Sequence, residues 1–284
     1  MYIYQIPIPI NIKVKYMIYT KEELKDILKN LGTTEREKRE YYDCQNSVTT
    51  IRDCFTEPFD APKQAAYCSK RDYDKPGSKY YLKTPEMILE EEAAGEAGKL
   101  AGRTLDDYIG YLLEGCSESK EKKLLETIEN STDIVKRKLD AFKSYKESEL
   151  EPLRFEFMSR ERKLAYLKFN VKGRYDAIFL IEKNDKPIVV LVDKNDKEIK
   201  TENKYSKLFG PLHLYDACEL NSYTIQVFIY KYILRKKYHI DNEIVPLIVN
   251  VKEDKVINYK PQIPYSDELV EEILKFGNKF LDKE

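Results

Sequence analysis

Two short apolar runs, each carrying one aspartate, constrain this chain more than any other feature. The first is Gly173-Arg174-Tyr175-Asp176-Ala177-Ile178-Phe179 and the second is Pro187-Ile188-Val189-Val190-Leu191-Val192-Asp193, with a charged turn from Glu182 to Lys186 between them. Runs this short, rich in Ile, Val and Phe and bounded by turn residues, predict paired strands. An aspartate within such a strand is costly to desolvate unless it is paired or binds a cation. Asp176 and Asp193 are therefore either solvated at strand ends or two carboxylates converging on one divalent ion. Magnesium prefers hard oxygen ligands and usually takes only one or two from protein.

The flanking pattern places this hairpin in an α/β chain. Residues 1 to about 16 alternate and predict an edge strand, with Pro7 and Pro9 keeping it out of a sheet centre. Thr20-Lys21-Glu22-Glu23 is a capping-box pattern, and Leu24, Ile27, Leu28 and Leu31 make a helical stripe closed by Gly32. Residues 33–45 read as a charged, exposed stretch. Further helices are expected from Ser47 to Phe55, from Asp60-Ala61-Pro62 onward, from Thr84-Pro85-Glu86 to about Gly115, and from Ser119 to about Tyr145. From Pro152 the period changes to two, with Leu153, Phe155 and Phe157 alternating with Arg154 and Glu156, and strands follow to Asp193. A polar loop (194–211), a helix (Asn221 to Lys237), a strand (Glu243 to Val251) and a terminal helix (Ser266 to Leu281) complete the chain. The fold class expected is α/β, a central mixed sheet flanked by helices, with a helical N-terminal part.

Composition excludes several function classes. The 284 residues carry 49 Lys and Arg against 50 Asp and Glu, so net charge argues neither for nor against a nucleic-acid partner. Five scattered cysteines, with no C-x-x-C pair, argue against a zinc or iron–sulfur site and a secreted disulfide framework. Met1 to Ile10 lacks the basic start and small-residue cleavage site of a signal peptide. No apolar run approaches membrane-spanning length. A cytoplasmic or nuclear location is expected, and low glycine with 23 tyrosines and heavy Lys, Glu and Ile usage fits an AT-rich coding genome.

Two strand carboxylates suit metal-assisted phosphodiester hydrolysis. Such sites often place a lysine two residues after the second acid, on the same face of the strand. That position here is Asn195, and Lys194 should face the other way. Either the strand bulges, another lysine such as Lys197 reaches in, or the site lacks its lysine; a solvated Asp-Lys-Asn-Asp-Lys turn is the plainer alternative. Gln226 and Tyr230 share a helix face at i, i+4, where they could hold a water, a phosphate or a base edge, or simply sit at the margin of a buried helix. Asp106, on the helix carrying Gly102-Arg103-Thr104-Leu105-Asp106-Asp107, could supply a third oxygen or be an exposed acid. Lys163, Lys168, Lys172 and Arg174 before Asp176, with Lys197, Lys200, Lys204 and Lys207 after Asp193, could line a phosphate-binding groove or be solvated among Asp196, Glu198 and Glu202. No glycine-rich phosphate loop or nucleophile elbow is present.

In combination, Gly-x-x-Asp-Ala-Ile-Phe, the apolar strand ending in Val192-Asp193 and Gln226-x-x-x-Tyr230 resemble the RecB-like branch of the PD-(D/E)XK nuclease superfamily, nearest its viral and phage members. Ser47-Val48-Thr49-Thr50-Ile51, Pro58-Phe59-Asp60-Ala61, Lys79-Tyr80-Tyr81 and Thr84-Pro85-Glu86 are similar to that group's N-terminal helices. Gly102 to Gly110 is similar to its Gly-x-x-x-His-x-x-x-Glu helix, and Pro211 to Cys218 to the segment entering its Gln-x-x-x-Tyr helix. The resemblance spans roughly residues 46 to 251. It implies a restriction-endonuclease-like core over 46–284, preceded by a strand-and-helix extension over 1–45. It also implies Mg²⁺ or Mn²⁺, single-stranded or end-bearing DNA as partner, no membrane, and a DNA nuclease, foremost an exonuclease, of replication, recombination or repair. Asp176 and Asp193 would hold the metal with Asp106 assisting, Lys194 would replace the absent lysine, and Gln226 and Tyr230 would position the strand. Glu156 falls where members carry a glutamate on the preceding strand. The family's helix histidine is Asp106 here, its glutamate is Gly110 and its lysine is Asn195. Those departures imply an alternative, a silent relative that binds nucleic acid or a replication partner.

Overall fold

The computed structural model describes residues 17–58, 60–93, 96–115 and 117–282. The edge strand expected over residues 1–16 and Cys116 lie outside them. Capping chemistry sets the first helices. At α1 (Lys21–Lys29) the Thr20 hydroxyl accepts from the Glu23 amide while the Glu23 carboxylate accepts from the Thr20 amide. The same reciprocal box, Thr34 with Glu37, starts α2 (Glu35–Asp43), so the charged stretch expected after Gly32 is exposed but helical. Two residues of strand, β1 (Asn46–Ser47), lead into α3 (Val48–Asp53), and Asp60 caps α4 (Ala61–Asp72) with Pro62 in its first turn.

Of the helix expected from Thr84 to Gly115, the described residues form α5 (Pro85–Ala93) and α6 (Glu96–Glu114), residues 94 and 95 lying outside the described residues. The single helix expected from Ser119 to Tyr145 is two, α7 (Glu118–Glu129) and α8 (Asp133–Tyr145). Asn130 closes the first and the Thr132 hydroxyl accepts from the Val135 amide to open the second. Short polar side chains that bond the local backbone interrupt a helix even where its apolar stripe continues.

The strands are β2 (Glu156–Arg160), β3 (Lys163–Tyr166), β4 (Val171–Arg174), β5 (Ala177–Lys183) and β6 (Lys186–Asn195). After them come α9 (Glu219–Lys237), β7 (Ile244–Val251), an unanticipated short β8 (Val256–Tyr259) and α10 (Asp267–Leu281). β5 and β6 pair antiparallel around Asn184 and Asp185, both at positive φ (53° and 57°). Asn and Asp tolerate that conformation, and a two-residue turn of this hand matches strand twist.

Two mixed sheets result, β1-β4-β3 and β2-β5-β6-β7-β8. β6 and β7 run parallel, joined by the crossover that contains α9. The larger sheet is covered on both faces, which is why the centres of β5, β6 and β7 are runs of apolar residues rather than alternating. Ile178, Leu180, Val189 and Leu191 pack in a core with α9, α10, α1 and α3, whereas Ala177, Phe179, Val190 and Val192 pack with α6 and α8. Among the described residues no helix is long and apolar enough to cross a membrane.

Candidate active site

Strand alternation sorts the charged side chains at the end of the β5–β6 hairpin. Ala177 pairs with Val192, so Asp176 and Asp193 come opposite one another one residue further on. Asp193 continues the Val189, Leu191 row toward α9 and is only 4% exposed. Asn195 is on its side, and the Asn195 amide donates to Asp193 Oδ2 at 2.8 Å. The ladder to β7 runs without a break through Asp193, Lys194 and Asn195, so the strand does not bulge there. Lys194 thus belongs to the Val190, Val192 row on the α6 face. Its Nζ meets the Asp106 carboxylate, and its backbone amide donates to Asp176 Oδ2 at 2.6 Å. Lys197, the other lysine considered, offers its carbonyl to Asn250 Nδ2.

The α9 pair converges on the same place. Gln226 Nε2 donates to Asp193 Oδ1 at 2.7 Å, and Gln226 Oε1 accepts from Arg52 Nη1 at 3.2 Å. Arg52, on α3, is bound in turn by Asp53 at 2.7 Å. Tyr230 is buried and its hydroxyl donates to the Arg174 carbonyl at 2.9 Å, fixing the chain two residues before Asp176. Both of these side chains are therefore part of the acidic end of the sheet rather than its solvated margin.

Burial dominates the electrostatics. It pushes the Asp176 carboxyl up to about 6, opposed by the Lys194 amide and ammonium. Asp193 is pushed well above the ordinary carboxylate range by burial and then by the Asp176 charge. A buried and a half-buried carboxylate that repel each other hold unfavourable charge at neutral pH unless a proton or a cation intervenes. An apolar cavity of about 60 Å³, walled by Ile109, Phe142 and Phe179, opens beside Asp176 and accounts for part of that desolvation.

Several placements differ from the sequence expectations. Asp106 is brought to Lys194 and not into a three-carboxylate cage; among the described residues no group of three or more His, Cys, Asp or Glu side chains is arranged to hold a metal ion. Glu156 faces α1, bound by Lys25 at 2.8 Å and Lys21 at 3.9 Å, away from the acids. Glu161, in the turn after β2, stands beside the site instead. It adopts φ 54°, its amide donates to the Tyr175 and Asp176 carbonyls, and its carboxylate pairs with Arg174 at 2.6 Å. Its carboxyl is raised by burial. No motif marks Glu161, because its role depends on a turn whose register only the sheet fixes. At Gly110, an added Cβ would overlap the Arg160 guanidinium, which binds Glu114 at 3.3 Å. Arg160 thus fills the space a larger side chain at 110 would need. The expected basic rim is partly neutralised, by Glu161 at Arg174, by Glu219 at Lys200 (3.8 Å) and by Asp216 at Lys207 (2.6 Å).

No protein-family model matches this chain, and no curated protein does. Among solved structures it is similar to an Eubacterium rectale protein described as a "putative exonuclease". The two share 13% identity and a TM-score of 0.40 over 94% of this chain and 85% of that one. It is also similar to the protein SSO0001, at 12% identity and a TM-score of 0.29 over 92% and 87% of the two chains. Likenesses this loose carry no argument about chemistry. The functional reading therefore rests on the site.

Proposed function

We propose that this protein is a divalent-metal-dependent DNA nuclease, acting on single-stranded or end-bearing DNA, with Asp176 and Asp193 at its centre. The observation that carries the reading is the mutually repelling pair at the end of the β5–β6 hairpin, Asp193 buried and Asp176 half-buried. Carboxylates from two adjoining strands fit a hard cation that takes one or two protein ligands and keeps water at its other positions. Asp176 and Asp193 would hold Mg²⁺ or Mn²⁺, which when bound supplies Lewis-acid activation of water and of the scissile phosphate.

The chain's own residues do the positioning. The Gln226 and Asn195 amides each bond one Asp193 oxygen, and the Lys194 amide bonds one Asp176 oxygen. These donors orient both carboxylates and leave their remaining lone pairs free. The Lys194 ammonium, on the α6 side, offsets part of the Asp176 charge. Asp106 holds that ammonium in place.

A second reading, a silent relative that binds nucleic acid or a replication partner, is favoured by one observation. Asn195 occupies the same-face position beside Asp193, and Lys194 is committed to Asp106 on the opposite face. Calorimetric Mn²⁺ titration together with cleavage of end-labelled single-stranded DNA separates the two. The nuclease reading expects one metal-dependent activity that Asp193→Ala and Asp176→Ala both abolish. Unchanged metal binding and cleavage in those variants, or neither property in the wild type, would overturn it.

A further inference from the structure

Helix α2 carries adjacent tyrosines, Tyr41 and Tyr42, whose rings meet edge to face with centroids 5.9 Å apart. Tyr42 is 71% exposed and contributes nothing to the core. Two lysines from the small sheet lean over these rings. Lys163 Nζ stands 5.1 Å from the Tyr41 centroid and 5.3 Å from that of Tyr42, and Lys172 Nζ stands 5.5 Å from Tyr41. Among the described residues neither lysine is in an ion pair, unlike Arg174, Lys200 and Lys207.

The position of this cluster is as informative as its composition. Lys163 is the cross-strand partner of Arg174, and Lys172 lies two residues before Arg174 on β4. β4 runs directly into Asp176. At about 3.3 Å per residue, Arg174, which Lys163 faces, lies roughly 7 Å from Asp176, and Lys172 lies roughly 13 Å from it.

We infer that Tyr41, Tyr42, Lys163 and Lys172 form a shelf that holds one unpaired DNA strand as it enters the site at Asp176 and Asp193; this rests on the reading of that site as a nuclease centre. The exposed Tyr42 ring offers a stacking face to a base, and ammoniums held in no ion pair neutralise the neighbouring phosphates, Lys163 Nζ donating only to the Tyr42 hydroxyl at 3.4 Å. The lysines already sit on the tyrosine rings, so charge and stacking surface are presented together. An acidic protein surface would satisfy the lysines but leave the rings unused. A duplex, with its bases stacked inside, would use only the charge.

The test is fluorescence anisotropy of a labelled oligothymidylate with the full chain in EDTA, followed by Mn²⁺-dependent kinetics. Tyr42→Ala and Lys163→Ala are each expected to weaken single-strand binding about tenfold. Lys163→Ala should also flatten the salt dependence, by about 0.7 in slope for each phosphate left without its ammonium. Tyr42→Phe should retain wild-type affinity, and in turnover Tyr42→Ala should raise KM with kcat unchanged. Because Tyr42 is exposed, its variants are expected to melt like the wild type. If wild type binds and cleaves while both Ala variants match it in affinity and KM, the shelf is wrong and the nuclease reading stands. If nothing is cleaved yet both variants lose binding, the nuclease reading fails and the shelf stands as a strand-binding surface. A wild type that binds no oligothymidylate, or that is displaced equally well by polyglutamate or by duplex, overturns the shelf.

Discussion

The ionisation of the Asp176 carboxyl should be visible in the stability of the protein. Burial raises it from 3.8 to about 6 in the folded chain. A group raised in this way contributes stability that is fully present below its unfolded value and is lost as pH rises through the folded one. The metal-free protein should therefore lose stability through this group between about pH 4 and pH 7, on the order of 2–3 kcal/mol. Asp176→Asn should be more stable than wild type near neutrality, and the advantage should vanish toward about pH 4. Thermal melts of both proteins in EDTA across that range check this, and parallel curves would sink it. Mn²⁺ should reverse the order at neutral pH, stabilising wild type but not the variant. Both aspartates, Lys194's opposite orientation and the Gln226–Tyr230 face were legible in the sequence, because each depends only on periodicity within one element. Arg52, Glu161 and Arg160 were not, since their roles depend on which distant backbone lies alongside.

Among the elements, the contact between β4 and α9 holds the site together. A Cβ on Gly173 would lie 2.5 Å from the Tyr230 hydroxyl, 2.8 Å from its ring and 2.8 Å from a Val48 methyl. Glycine is needed there for close approach, since Gly173 carries no unusual φ. Gly173→Ala must push α9 or α3 away from the strand and should cost about 2 kcal/mol. Tyr230→Phe removes only the bond to the Arg174 carbonyl, about 1 kcal/mol, and in the double variant it should not rescue Gly173→Ala because the ring carbon remains in the way. Urea denaturation of the three variants measures this, and full rescue in the double variant would show that the hydroxyl alone blocks the added methyl. The helices misjudged from sequence, α2 and the α7–α8 pair, share one cause. Apolar periodicity continues across Asn130 to Thr132 and is faint across residues 35–43, so it outweighed the capping residues at each place.

Across the whole molecule, stability is unevenly distributed. Two large cores cover the two faces of the five-stranded sheet, whereas Ala65, Cys68 and Ile88 of α4 and α5 form a small cluster of their own. Amide exchange should therefore show the α4–α5 pair opening well before β5, β6 and β7, whose protection should track global unfolding; equal protection in both regions would count against this division. The sequence by itself determined the hairpin, the paired acids, the helix that faces them and the mixed α/β character, because strand and helix periods are properties of short segments. The tertiary structure alone decided which helix covers which face of the sheet. It thereby set what each charge meets: Asp106 against Lys194, Arg160 over Gly110, Glu161 beside Asp176, and Lys163 over Tyr41 and Tyr42. A side chain's direction follows from its own strand or helix, but its partner is set by packing between segments far apart in the chain.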